Sequence, residues 1–286
     1  MKQRKETPKS SDLPIYLFLQ MITGFRKISE ISAADTGSET YCRDYSFSIL
    51  QKNLNGHFFS RLISRKCYLE QPGPVMEDLY RLVGSKDYFI VTSNGEDHFV
   101  PAGFDRDKVF EMEGRLTQSR CQNGCGTDPY ENQNEILKMA KAEKNGQIPS
   151  ELVPCCSCCG GPVTVNMANS NAFFQTEQFQ KKMQDYQNFI KKYHGKRLAI
   201  LELGVGWRNR MIKEPFMSLA ASEPEAVYIT FNKGEVYIPS EIAGKSIGGR
   251  WRYWGGAERN MSGKREPIGG VYIFLFGQLI FLNGQC

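Results

Sequence analysis

The sequence predicts an α/β protein, a parallel sheet interrupted by a small cysteine-bearing insertion. Three observations predict it. Apolar runs of strand length each end in a polar or glycine turn. Segments of helical spacing lie between them, the strand–turn–helix–strand rhythm of a parallel sheet. Six of the nine cysteines cluster in two groups between the first and second of those strands.

In chain order, Met1 to Pro14 is polar and Lys-rich and reads as a disordered lead-in. It lacks the apolar core of a secretory signal, so a cytoplasmic location is expected. Leu13 to Ile28 is apolar enough for a strand or short helix, Ser29 to Tyr45 reads as a loop, and Phe47 to Leu69 has helical spacing. Val75–Val83 is an amphipathic helix with Met76, Leu79, Leu82 and Val83 on one face, its start marked by Pro72 and Pro74. Asp87–Ser93 is β-branched and aromatic, a strand buried on both faces that ends at Asn94-Gly95. Gln175–His194 spaces Phe179, Met183, Tyr186 and Phe189 as an outer helix. Lys196–Gly204 is a second strand, closing on Gly204-Val205-Gly206; Glu214–Ser222 is a helix; Ala226–Phe231 is a third strand, closing on Asn232-Lys233-Gly234. Such sheets bind ligands beyond the carboxyl ends of their strands. Residues 92–94, 204–206 and 232–234 all fall there, so the sheet reads as Rossmann-like and nucleotide-binding.

The bulk numbers narrow the function classes. A net charge of +5 over 286 residues is a weak bias that argues for neither nucleic acid nor membrane. The longest apolar run, Val271 to Leu282, is broken by Gly277 and Gln278 and is too short to span a bilayer.

The cysteines carry the sharpest signal. Cys42, Cys67 and Cys286 are scattered and read as isolated thiols. Cys121-Gln-Asn-Gly-Cys125 is one pair; Pro154-Cys-Cys-Ser-Cys-Cys-Gly-Gly161 offers either Cys155 with Cys158 or Cys156 with Cys159. In a reducing compartment, paired cysteines mean metal or catalysis before disulfide. A zinc knuckle needs two thiolates on a tight turn, and a glycine helps the turn to positive φ. Gly124, Gly160 and Gly161 favour Cys121, Cys125, Cys156 and Cys159 as a closed, structural zinc-ribbon site. The division expected is a lead-in (1–14), a Rossmann-like nucleotide-binding domain (15–110 and 196–247), a zinc-binding small domain with a helical insert (111–195) and an atypical tail (248–286).

A parallel sheet carrying a four-cysteine ribbon resembles the sirtuins, NAD-dependent protein deacylases, and within them the microbial macrodomain-linked branch that ADP-ribosylates proteins. The resemblance runs from about residue 56 to residue 247. Its strongest stretch is Tyr88 to Phe104, where Thr92, Asn94, Ala102 and Gly103 match without a gap. Gly114 and Cys121, Leu203-Gly-Val-Gly206, Lys213-Glu-Pro-Phe216 and Phe231-Asn-Lys-Gly-Glu235 continue it. The resemblance implies an NAD site at Ser32, Thr92, Asn94, Glu96, Gly204, Gly206 and Asn232, with Asn94 and Glu113 catalytic. It implies an acceptor protein as partner: a lipoyl-carrier protein, with a macrodomain protein as functional companion. No membrane is expected, and nucleic acid is not the expected partner.

The departures are as specific. Glu113 stands where the family's deacylases carry a catalytic histidine and its ADP-ribosylating branch an amide. Glu96 replaces an aspartate, and Ala168 stands where the branch has an arginine. Trp207 to Arg210 lacks the usual Asn-Thr-Pro. The phosphate loop keeps Ser32 but not its glycines, and Glu30 adds a negative charge. Beyond residue 248, Arg250-Trp-Arg-Tyr-Trp-Gly-Gly256 is consistent with a frameshifted reading of a family-like segment, or with an aromatic-basic patch for nucleic acid. The expected function is NAD-dependent protein ADP-ribosyl transfer (or deacylation) with impaired activity. The alternative is a non-catalytic, zinc-stabilised module that binds protein or nucleic acid.

Overall fold

The computed structural model describes residues 15–19, 60–126, 128–145, 147–168, 171–205, 210–232, 236–250, 270–275 and 278–283. Its strands are β1 (Ile15–Leu19), β2 (Tyr88–Thr92), β3 (Val109–Glu111), β4 (Gly114–Cys121), β5 (Tyr130–Glu131), β6 (Val163–Met167), β7 (Leu198–Leu203), β8 (Ala226–Asn232), β9 (Ser246–Arg250), β10 (Gly270–Leu275) and β11 (Gln278–Asn283). Its helices are α1 (Pro74–Val83), α2 (Gln133–Ala142), α3 (Asn171–Phe174), α4 (Glu177–Tyr193) and α5 (Arg210–Ser222). A π-helical segment, Ser64–Leu69, precedes α1. The lead-in, Ser32 with its loop, Gly206, and residues 233–235 and 251–256 lie outside the described residues.

Six strands form the main sheet in the order β3-β2-β1-β7-β8-β9. Every pair in it is parallel. Side chains alternate between the two faces, as the two-residue period of a strand requires. Phe89 and Val91 of β2, Leu198 and Ile200 of β7, and Ala226 and Tyr228 of β8 meet Phe189 of α4 and Ile212, Phe216 and Met217 of α5. Tyr88, Ile90, Leu201, Leu203, Ile229 and Phe231 face the other way, onto Met76, Leu79 and Val83 of α1. Each such side chain, fully buried, contributes about 1.5–3 kcal/mol. Burial on both faces is why these strands read as continuous apolar runs.

The chain order reverses at β1 and β7, which pair with each other. The carboxyl ends of β1 and β7 therefore flank the crevice of the sheet.

A second, antiparallel sheet, β5-β4-β6, lies between β3 and α3 in sequence. A bulge between Arg115 and Ser119 shifts the β4–β6 register. Leu116 and Val165 of this sheet cluster with Ile136 and Met139 of α2 and with Ile63 and Cys67. The segment around Ser64–Leu69 thus belongs with the cysteine-bearing unit, although sequence order sets it in the first domain. Helix α4 goes the other way. Sequence order places it with the cysteine-bearing unit, but Phe189, Met183 and Tyr186 pack on the parallel sheet. Thr176 caps it, its hydroxyl accepting from the Phe179 N–H at 3.3 Å.

Helix α5 starts at Arg210, earlier than the expected Glu214, and carries Pro215 inside it. Strand β9 runs past residue 248 in register with β8, pairing Gly248 with Thr230 and Gly249 with Phe231. A Cβ on Gly249 would meet the Phe231 ring at 2.4 Å. The backbone of β10 and β11 forms an antiparallel hairpin. No described helix is long and apolar enough to cross a membrane.

Candidate active site and metal centre

Parallel strands end on one edge of their sheet, and that edge gathers the predicted residues. Thr92, Leu19 and Leu203 stand level across β2, β1 and β7, and Leu203 stands level with Phe231 of β8. From β2 to β8 is three strand spacings, about 14 Å. Thr92 is fully buried, and its hydroxyl accepts from the Asn94 N–H at 3.0 Å. Asn94 donates its side-chain amide to the Glu96 carboxylate at 2.9 Å. Gly204 leaves β7 at φ +72°, its N–H donating to the Phe231 carbonyl at 2.7 Å. Asn232, the last residue of β8, is buried. The structure therefore places Thr92, Asn94 and Glu96 on one side of the β1–β7 crevice, and Gly204 and Asn232 on the other.

Glu113 sits in the tight connection between β3 and β4. Three backbone bonds fix this connection. The Met112 N–H donates to the Thr92 carbonyl at 2.8 Å, the Leu116 N–H to Gly95 at 2.9 Å, and the Ala168 N–H to Glu113 at 2.9 Å. Gly114 has φ +92°, and a Cβ there would meet the Asn166 carbonyl oxygen at 2.1 Å. Glycine is obligatory at such a position. The Glu113 side chain is exposed, beside the loop that carries Asn94.

Under this loop lies an ion-pair network that sequence reasoning missed. Asp97, at φ +64°, pairs with Arg106 at 2.5 Å and with Arg115 at 3.5 Å; Thr117 donates its hydroxyl to it at 3.2 Å. Arg106 also pairs with Glu111 at 2.6 Å, and Arg115 with Glu131. Burial pushes the Glu111 carboxyl above its ordinary range despite Arg106. Arg106, Glu111, Gly114, Arg115 and Asn166 line a cleft between the two sheets. In its wall, Arg115 Nε and Asn166 Oδ1 are buried with no hydrogen-bond partner. The sequence signal was weak: Asp97 lies one place beyond the expected acidic position, and its partners come from later strands.

A second missed group lies beneath Gly204. Glu202, alone among apolar neighbours in β7, is fully buried and pairs with Lys213 of α5. Tyr228 and Thr230 both donate hydroxyls to its carboxylate, each at 2.7 Å. A lone acid in an apolar strand was the signal that could have found it.

The cysteines converge from two turns. Cys121 ends β4, Cys125 follows through Gly124 at φ +64°, and Gly160 at φ +67° closes the second turn. The Gly160 N–H donates to the Cys156 carbonyl, and the Cys156 N–H to Gly161, each at 2.8 Å. The sulfurs of Cys121, Cys125, Cys156 and Cys159 all lie within 4.8 Å of one another. Cys121 and Cys159 are 3.6 Å apart, and Cys125 and Cys156 3.4 Å. Four thiolates at about 2.3 Å from one tetrahedral ion would stand about 3.8 Å apart, so the donor set and its spacing fit zinc. Backbone N–H groups of Cys159 and Cys158 lower the Cys156 thiol to about 6, favouring the thiolate a metal needs. Cys155 and Cys158 are exposed and outside the cluster.

No protein-family model matches the chain. It is, however, similar to a protein ADP-ribosyltransferase of Staphylococcus aureus, with 30% identity over 212 residues, covering 70% of this chain and 67% of that protein. At that identity and coverage, the chain belongs to the family of that protein ADP-ribosyltransferase.

Proposed function

We propose that this protein is an NAD-dependent protein ADP-ribosyltransferase of the sirtuin type, built on a Rossmann-like sheet with a zinc-ribbon insertion. The similarity to the Staphylococcus aureus protein ADP-ribosyltransferase supports the transfer chemistry. Counting only the strands of the main sheet, its order is 3-2-1-4-5-6, that of doubly wound dinucleotide-binding domains. The observation that carries the reading is the stitching of the Glu113 connection to the Thr92–Gly95 loop at the edge of the crevice.

NAD supplies the ADP-ribosyl group, its nicotinamide leaving as an acceptor nucleophile takes the ribose carbon. The chain's own residues divide the remaining work. Gly204 lets the backbone approach the dinucleotide closely, as a side chain there would not. Asn232 would hold the adenosine end, and Ser32 the phosphate end. Asn94, oriented by Thr92 and Glu96, would bind near the nicotinamide ribose. Glu113, exposed in the β3–β4 connection, would take the acceptor's proton. A lipoyl-carrier protein is the acceptor we propose, with a macrodomain protein as functional companion. Zinc, held by the four cysteines, would fix the antiparallel sheet and take no part in the chemistry.

Glu113 and Ala168, at the family's histidine or amide and arginine positions, favour a slow enzyme. They also sustain a second reading, a zinc-stabilised binding module without catalysis. Titration calorimetry with NAD, paired with labelled-NAD transfer to a carrier protein, separates the two. The proposal expects heat on NAD addition and label transfer that falls about a hundredfold in Glu113→Ala. No heat at millimolar NAD and no transferred label would leave the binding module standing.

A further inference from the structure

A charged pair sealed inside a sheet–helix interface needs a reason to be there. Glu202 is 0% exposed and Lys213 2% exposed. Taking both from water costs several kcal/mol per ion, and apolar residues of similar volume often serve stability as well or better. Lys213 also sits in the first turn of α5, at the positive end of the helix dipole, where a cation is disfavoured. Stability alone therefore does not account for the pair.

Its remaining contact suggests the reason. Lys213 Nζ reaches the Val205 carbonyl oxygen at 3.5 Å, and Val205 is fully buried. One residue earlier, the Gly204 N–H is tied to Phe231 of β8. The turn leaving β7 is thus held at two successive residues, from β8 on one side and α5 on the other. Glu202 fixes Lys213, and Tyr228 and Thr230 fix Glu202. Every member lies on the α5 face of the sheet, directly below the carboxyl end of β7.

We infer that Lys213 and Glu202 are positioning residues for the Gly204–Val205 turn, and through it for the dinucleotide; this rests on NAD being the ligand of that edge. The pair holds the turn at its positive φ before the dinucleotide arrives, so that binding does not bear the cost of ordering it. Neither side chain touches the reacting atoms.

Lys213→Met alone would strand a buried carboxylate and could unfold the protein. The decisive variant is Glu202→Gln with Lys213→Met, which removes both charges, keeps the volume and leaves Tyr228 and Thr230 an amide to bond. It is made in the full-length, zinc-loaded chain. The expected result is a melting temperature close to wild type, NAD affinity about tenfold weaker, as for one lost charge-assisted contact, and KM for NAD raised more than kcat is lowered. Hydrogen exchange at the Gly204 and Val205 amides should quicken about tenfold in the same variant, a readout that needs no NAD. Lys213→Arg, which keeps a donor under Val205, should recover part of the affinity. A double variant that binds NAD as wild type does, with unchanged exchange at Gly204, overturns the inference and makes the pair mere core. Wild-type protein that gives no heat with NAD removes the dinucleotide reading instead, and the exchange result then decides the tether by itself.

Discussion

Gly114 and the cysteine-turn glycines show how single residues set this architecture. Gly114 has both a left-handed φ and a neighbouring carbonyl where a Cβ would go. Gly114→Ala is therefore expected to cost about 2 kcal/mol or more and to displace the Glu113 connection. Denaturant unfolding measures the first effect; loss of NAD-dependent label transfer measures the second. At the metal centre, Cys156→Ser should abolish zinc retention on gel filtration, read by elemental analysis. Cys158→Ser should keep it, since Cys158 stands outside the cluster. The pairing of Cys156 with Cys159 was legible because glycine reports the backbone directly: positive φ is a local property. Asp97 was not legible. Its importance comes from Arg106, Arg115 and Thr117, on other elements, and no local pattern announces an ion pair closed by tertiary structure.

At the scale of elements, β2, β7 and β8 were legible because burial on both faces leaves a mainly apolar run, broken by Glu202 in β7 and Thr230 in β8. The allegiance of α4 was not, because an amphipathic face says that a helix packs but not on what. The start of α5 was obscured by Pro215, which reads from sequence as belonging to a first turn. The link between α4 and α5 yields a pH prediction. Burial would raise the Glu223 carboxyl, but hydrogen bonds from His194 and the Gly195 N–H, with Lys245 nearby, hold it below its ordinary range. A carboxyl with a lowered folded pKa stabilises above its unfolded value, about 4.3, and loses that contribution as pH falls through the folded value. Glu223→Gln should thus lower the melting temperature by about 2–4 °C near pH 7. That difference should shrink towards zero as the pH drops below about 4, in paired thermal scans.

For the molecule as a whole, the parallel architecture followed from the alternation of strands and helices, but the strand order did not. β1 is a central strand, flanked by β2 and β7, and its apolar stretch, Leu13 to Ile28, reads equally as a strand or a short helix. Which neighbours a strand takes is decided by crossover packing, not by its own composition. The two-sheet arrangement makes chelation a test of the whole molecule. Stripping zinc with a strong chelator should loosen the β4–β6 sheet and with it the Glu113 connection, so NAD-dependent transfer should fall together with near-ultraviolet circular dichroism. Restored zinc should return both.

That central position of β1 has a consequence for biogenesis. Its partner β7 lies far along the chain, and all four thiols emerge from the ribosome before β7 does. Until then β1 lacks a neighbour on one side, while the cysteine-bearing sheet already has every strand it needs. Domains fold in the order of synthesis, and an unpaired strand edge invites aggregation. The supply of zinc during translation should therefore govern soluble yield more strongly than zinc added to the finished chain. Pulse-labelled synthesis in zinc-depleted and zinc-replete extracts measures that difference.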